Sequence, residues 1–88
     1  MFAWDEEKRK KVVADHNVDF ALIADIFDDP FALYADDLGH SENELRYTVI
    51  GKTARYGLTF LVFSYVDDQI CFITARRAEN WMLKAYER

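Results

Sequence analysis

Residues 58–76, LTFLVFSYVDDQICFITAR, decide the fold. The first part, LTFLVFSYV, is nearly all apolar and rich in aromatic and β-branched side chains, which predicts a strand buried on both faces at the centre of a sheet. Asp67 and Asp68 then form a two-residue turn signal, and QICFITAR reads as the next strand of a hairpin. Upstream, residues 44–52 form another strand-like stretch, joined to the central one by TARYG. The expectation is an antiparallel meander over residues 44–52, 58–66 and 69–76.

Helical patterns flank this meander. After the apolar segment FAW, Asp5 is placed to cap a helix whose first turn holds Glu6 and Glu7 and which runs to about Asp15. Glu6 with Lys10 and Glu7 with Lys11 are spaced for i,i+4 pairing. The run Lys8 to Lys11 points all round the axis and reads as a solvated face. Asp19 can cap a second helix, with Phe20, Ile23, Ala24 and Phe27 as a core-facing stripe. Pro30 stops it, and a short extended piece is expected at residues 32–35. At the far end Ala78, Trp81, Met82, Ala85 and Tyr86 form the inward stripe of a terminal helix. The predicted class is α+β: a small antiparallel sheet, the three-stranded meander to which a short N-terminal strand can add, packed with two N-terminal helices and one C-terminal helix.

The chain of 88 residues reads as one domain over residues 1–88. A domain this small buries only roughly 60–65% of its unfolded surface, so a partner would add useful stability. Cys71 is alone, which excludes a disulfide framework, and two histidines are too few for a typical structural zinc site. No apolar run reaches the ~20 residues that span a bilayer, and the N-terminus lacks the basic-then-apolar order of a signal peptide, so a cytoplasmic protein is expected. The net charge of −5 conceals an asymmetry. Residues 1–44 hold 12 acids and 4 bases, a net of −8, whereas residues 45–88 hold 4 acids and 7 bases, a net of +3. A phosphate-facing site therefore belongs to the second half.

The pieces FAWDEEK, DHNVDF, FDDP, HSENELRY, the following IG and the late ARRA stand in an order and spacing that resembles the BrnT family, over nearly the whole chain. The resemblance implies a RelE-like fold and a bacterial type II toxin: a small metal-independent endoribonuclease, with no cofactor, that inhibits translation. It also implies an RNA substrate, a BrnA-like antitoxin with a ribbon-helix-helix fold, and contact with operator DNA only through the antitoxin complex. The chain departs from the family where it commonly has Lys-His-Gly, reading Asp15, His16, Asn17, and where many members carry arginines around the final hairpin, at Val66 and Cys71. These departures remove positive charge. They keep open an alternative, a catalytically weakened toxin-like module that pairs with a DNA-binding antitoxin for autoregulation.

Metal-independent RNA cleavage needs a base for the 2′-hydroxyl, an acid for the departing 5′-oxygen, and cations around the phosphorane-like transition state. His16, His40, Glu44, Arg46, Tyr47, Arg76, Arg77 and Tyr86 are the candidates. Strand alternation puts Glu44 and Arg46 on one face and Tyr47, with Val49, on the other, so Tyr47 is assigned to the core. A simple meander separates Arg46 from Arg76 by ~20 Å and gives two surfaces: His40, Glu44, Arg46 and Tyr86 at one end, Lys52, Arg55, Arg76 and Arg77 at the other. His40, Glu44, Arg46, Arg76 and Arg77 are expected to be catalytic, and His16, Lys52, Arg55 and Tyr86 to bind substrate. Acid doublets such as Asp28–Asp29 and Asp36–Asp37 read as solvated, and no metal site is expected.

Overall fold

In the computed structural model, which describes residues 1–37 and 45–88, the chain folds as β1 (Phe2–Ala3), α1 (Glu6–His16), two 3₁₀ turns (Phe20–Leu22 and Ala24–Asp28), β2 (Leu33–Asp36), β3 (Arg46–Thr53), β4 (Gly57–Val66), β5 (Gln69–Arg77) and α2 (Asn80–Tyr86). The strands form one sheet in the order β1-β5-β4-β3-β2. All neighbours are antiparallel except β1, which runs parallel to β5 and covers only Ile70 and Cys71. The apolar β4 is central, as its sequence requires.

The meander forms with the expected turns. β3 and β4 close through Ala54 to Tyr56 onto Gly57 at φ +73°, a backbone that glycine adopts without strain. Asp67 and Asp68 connect β4 to β5 at φ +52° and +64°. Two successive left-handed residues match the right-handed twist of the flanking strands, as in a type I′ turn.

One face of the sheet, the inner face, carries the core. Val49, Leu61, Phe63, Phe72 and Ala75 pack there against Val12 of α1 and against Val18, Phe20, Ile23 and Ile26. Phe72 is the centre of an aromatic cluster, with ring centroids 5.5–5.7 Å from Phe2, Trp4 and Phe20. The segment expected to be a second α-helix is instead the two 3₁₀ turns. Its buried residues Phe20, Ile23 and Ile26 recur every three positions, and a 3₁₀ backbone stacks i over i+3. The amides of Ile23, Ile26 and Asp29 accordingly donate to the carbonyls three residues back. Gly51 explains why this segment can lie so close: a Cβ there would stand 2.9 Å from Ile26 Cγ1 and 3.2 Å from Ala32 Cβ.

Side-chain bonds fasten the ends of these elements. Asp5 caps α1 by accepting from the Glu7 amide, and Asn17 ends the helix at φ +57° with its amide on the Val13 carbonyl. Asparagine tolerates this left-handed position, so the fold keeps its turn without glycine. Arg9 grips Asp19 through Nε and Nη2 at 2.8 and 2.9 Å, while Asp19 caps the Ala21 amide and its own amide donates to the Tyr56 hydroxyl. Within α1 the ion pairs are Arg9–Glu6, Lys10–Glu7 and Lys11–Asp15, not the Glu6–Lys10 and Glu7–Lys11 pairs that the spacing suggests.

On the outer face α2 follows Ala78, whose amide donates to the Leu58 carbonyl, and buries Met82 completely. Trp81 does not join the inward stripe: it is 57% exposed. The helix has only seven residues and crosses toward β3, so it covers one end of the outer face and leaves the rest open.

Candidate functional site

The open part of the outer face holds a groove floored by Thr48, Phe60, Val62 and Thr74 and flanked by Arg46, Arg76 and Asp37. Strand register explains why two arginines meet there. Arg46 lies opposite Ser64, while Arg76 lies opposite Phe60, which itself pairs with Ile50. Arg76 is thus four residues along the strands, about 13 Å, and two strands across, about 10 Å, from Arg46, and not at the far end of the sheet. Two long side chains aimed across that gap line one groove, which overturns the expectation of two separate ends.

A β-bulge shapes the same surface. Val62 pairs with Thr74 and Phe63 with Phe72, leaving Ile73 without a partner across the ladder. Such an extra residue bends its strand and redirects the neighbouring side chains. Because β1 covers β5 only at Ile70 and Cys71, the edge of β5 beyond them faces α1. There Ile73 and Thr74 also line a hollow with Lys8, Lys11, Asp15 and His16. The groove therefore continues from the two arginines, over Thr74, to the basic side of α1.

The electrostatics favour an anion at the arginines. Arg76 Nη2 bonds Glu79 Oε1 at 2.9 Å, and its guanidinium lies 5.2 Å from the centre of the Phe60 ring. Nε of Arg76 and Nε of Arg46 are both buried and, among the described residues, have no hydrogen-bond partner. A buried donor left unpaired costs about 1–3 kcal/mol, more when it is charged, so both atoms call for an oxygen acceptor. A phosphate presents several, in the geometry a guanidinium fork matches.

Other sequence candidates fall elsewhere. His40 and Glu44 lie outside the described residues. Arg77, one residue from Arg76, points to the opposite face, exposed and 5.4 Å from the Tyr56 ring centre. Tyr47 packs against the core beside Phe63, as assigned. Lys52 and Arg55 are exposed near the β3–β4 turn. Tyr86 does not return to the Arg46 end: it lies under Lys52, 5.7 Å from Nζ, and donates to Asp29 Oδ2 at 2.7 Å. That oxygen also accepts the Lys52 amide, while Oδ1 accepts the Phe31 amide. The Tyr86 hydroxyl and then the Lys52 amide hold the Asp29 carboxyl below the usual carboxylate range, and the same bond to Asp29, aided by burial, pushes Tyr86 up. Asp29 is a structural anchor, and so is Asp25, which accepts the Ala54 amide at 2.7 Å.

Sequence reasoning missed Lys8 and Lys11 as groove residues. Their i,i+3 spacing, which puts both on one side of α1, was the available signal. Among the described residues no three His, Cys, Asp or Glu side chains come together as a metal site would require.

Comparison with known proteins identifies the family. A family model for "Ribonuclease toxin, BrnT, of type II toxin-antitoxin system" matches residues 4–80. The chain belongs to the BrnT family. Among solved structures, the crystal structure of the Brucella abortus ribonuclease toxin BrnT superposes with a TM-score of 0.72 at 25% identity, covering 91% of this chain and 99% of that one. A search of curated protein sequences gives no match. As a BrnT protein the chain is a ribonuclease toxin of a type II toxin–antitoxin system, which implies an RNA substrate and an antitoxin partner. No helix among its described residues is long and apolar enough to cross a membrane.

The BrnT resemblance noted in the sequence acquires physical reasons here. Trp4 packs on Phe20 and Phe72, Asp5 caps α1, Asp29 of FDDP anchors β3 and α2, and Gly51 of IG admits Ile26. Most of these shared motifs build the scaffold. Arg46 of HSENELRY and Arg76 of ARRA line the groove.

Proposed function

We propose that this BrnT protein is a metal-independent endoribonuclease that cleaves RNA in the groove between Arg46 and Arg76, and that this arrests translation and growth in the cytoplasm. One observation carries the reading: the two guanidinium groups share a groove, and each has a buried Nε without a protein acceptor among the described residues. Arg46 and Arg76 hold the scissile phosphate and stabilise the charge that grows on it during attack by the 2′-hydroxyl. Phe60, stacked on Arg76, offers an aromatic floor for a base. Glu44 or His40 takes the 2′-hydroxyl proton as the 2′-oxygen bonds to phosphorus, and the other gives a proton to the 5′-oxygen as the P–O5′ bond breaks, leaving a 2′,3′-cyclic phosphate. His16, with Lys8 and Lys11, binds the RNA strand where the groove meets α1. Lys52, Arg55 and Arg77 act further away, attracting RNA by charge, and Tyr86 supports the fold. The domain spans residues 1–88.

The antitoxin in this reading is a BrnA-like ribbon-helix-helix protein, and operator DNA is reached through the complex. A second reading, a weakened toxin kept for antitoxin pairing and repression, is favoured by Asp15 and Asp37, which bring negative charge to the groove walls. Induced expression separates the two. Growth arrest with RNA fragmentation, abolished by Arg46→Ala, supports the ribonuclease; normal growth with abundant folded protein supports the binding module.

A further inference from the structure

The inner face of the sheet is only partly covered. α1 packs against β5 and the second 3₁₀ turn against β3, while the strand ends near the β4–β5 turn extend beyond both. On this uncovered part Tyr34 and Tyr65 are 56% and 59% exposed, and Leu45, which alternation puts on the same face, is 69% exposed. The aromatic rings form a continuous cluster with buried Phe63 at its base: Phe27 lies 6.4 Å from Tyr34 and 5.2 Å from Phe63, and Tyr47 lies 5.7 Å from Phe63 and 5.6 Å from Tyr65. The surrounding charges are acidic. Asp36 stands opposite Tyr47 in the β2–β3 ladder, Asp28 follows Phe27, whose ring lies 6.4 Å from that of Tyr34, and Asp67 and Asp68 form the turn beyond Tyr65. All four are exposed or partly exposed.

We propose that this aromatic, acid-rimmed surface is where the antitoxin docks, through a basic amphipathic segment. The inference rests on membership of a toxin–antitoxin family; the location and the chemistry of the segment come from the surface itself. Tyrosine faces attract lysine and arginine heads by cation–π contact, and the aliphatic stems of those residues cover apolar rings. Aspartates around the rim add charge complementarity and repel RNA. The Arg46–Arg76 groove, on the opposite face, repels the same segment. Exposed aromatic and apolar side chains gathered in one patch with a charged rim mark an interaction surface.

The test uses a purified BrnA-like ribbon-helix-helix antitoxin, the partner class proposed above. Tyr34→Ser with Tyr65→Ser should weaken its binding by about tenfold or more while leaving single-turnover RNA cleavage unchanged. Asp28→Lys with Asp36→Lys, at positions that leave the rings in place, should weaken binding and flatten its salt dependence. Melting of each variant alone, close to that of the parent, verifies the fold. Unchanged affinity in both double variants overturns the proposal, as does loss of binding on Arg46→Ala alone, which would put the antitoxin in the RNA groove. A concentration-dependent dimer of the toxin that disappears in Tyr34→Ser/Tyr65→Ser, with antitoxin affinity intact, overturns it in favour of a second copy. Because cleavage is assayed without antitoxin, failure of the ribonuclease reading shows separately as an inactive parent protein.

Discussion

The two faces of the sheet carry opposite chemistry on the same strands. Along β3, Arg46 and Thr48 turn to the outer groove while Tyr47 and Val49 turn to the aromatic inner side. Period-two alternation makes this division, so a small sheet can present a basic phosphate-facing surface and an acidic apolar one only a sheet's thickness apart. What differs is satisfaction. Asp19 and Asp29, away from the groove, are each held by several hydrogen bonds; the outer groove keeps two arginine Nε donors unpaired among the described residues. Unpaired groups are where a substrate can gain most.

The strongest way to break this division is at the arginines. Arg46→Ala and Arg76→Ala should each lower the single-turnover cleavage rate by about 10² to 10³, the usual cost of removing one transition-state charge interaction. Arg46→Lys should recover only part, since an ammonium lacks the fork. Arg77→Ala, on the other face, should change the bound-state rate little. Equal losses at Arg76 and Arg77 would show that the strand faces do not sort function.

Next in size is Gly51→Ala, a test of the inner face alone. A methyl group 2.9 Å from Ile26 Cγ1 and 3.2 Å from Ala32 Cβ forces the 3₁₀ segment to shift, and overpacking of this kind costs about 1–3 kcal/mol. Denaturant unfolding reads it directly. Cleavage by the fraction that remains folded should persist, because Gly51 is not part of the groove.

Stability against pH sharpens the comparison further. Asp19 is held below the usual carboxylate range, by Arg9 first of all, and Asp29 by Tyr86. A depressed carboxylate contributes stability that is present above its unfolded value of about 3.9 and lost as pH falls through the folded value. Tyr86 is raised, so its contribution is present below about 10 and lost as pH rises through its folded value. Tyr86→Phe should therefore flatten the alkaline limb of the stability profile against pH and part of the acid limb, whereas Asp19→Asn should flatten only the acid one.

Sequence alone revealed the meander, because β4 is nearly all apolar and its turns carry Gly57 and an Asp pair. It revealed α1 through Asp5. The second helix is misread because Phe20, Ile23, Ala24 and Phe27 fit a period of 3.6 while Phe20, Ile23 and Ile26 fit a period of 3, and only the fit of Ile26 against Gly51 decides between them. At the site, Arg46 and Arg76 were recognisable as residues but not as neighbours: their convergence depends on strand register and on the Ile73 bulge, and neither leaves a mark in one sequence. Lys8 and Lys11 read as an ordinary solvated face, because nothing in the helix pattern places β5 beside them.

Those lysines give a smaller effect. Lys8→Gln and Lys11→Gln should weaken RNA binding a few-fold and reduce the slope of log affinity against log salt by about 0.7 for each phosphate no longer neutralised, as expected for a single strand. The rate at saturating RNA should hold. If the slope stays unchanged, the groove ends at Thr74.

The smallest expected effect lies at the β4–β5 turn, where stability and partner binding are set against each other. Asp67 and Asp68 occupy left-handed backbone at φ +52° and +64°, a region that costs most L-residues about 1–2 kcal/mol and aspartate somewhat less. Glycine at the second position of such a turn is the favoured choice. Asp68→Gly should therefore stabilise the fold by up to about 1 kcal/mol, read as a higher denaturant midpoint with an unchanged slope. The same change removes one charge from the acidic rim. If that rim receives a basic segment, the more stable variant should bind antitoxin more weakly, and the difference should fade at high salt. Greater stability with undiminished antitoxin affinity at low salt would mean that the charge at Asp68 serves the turn alone.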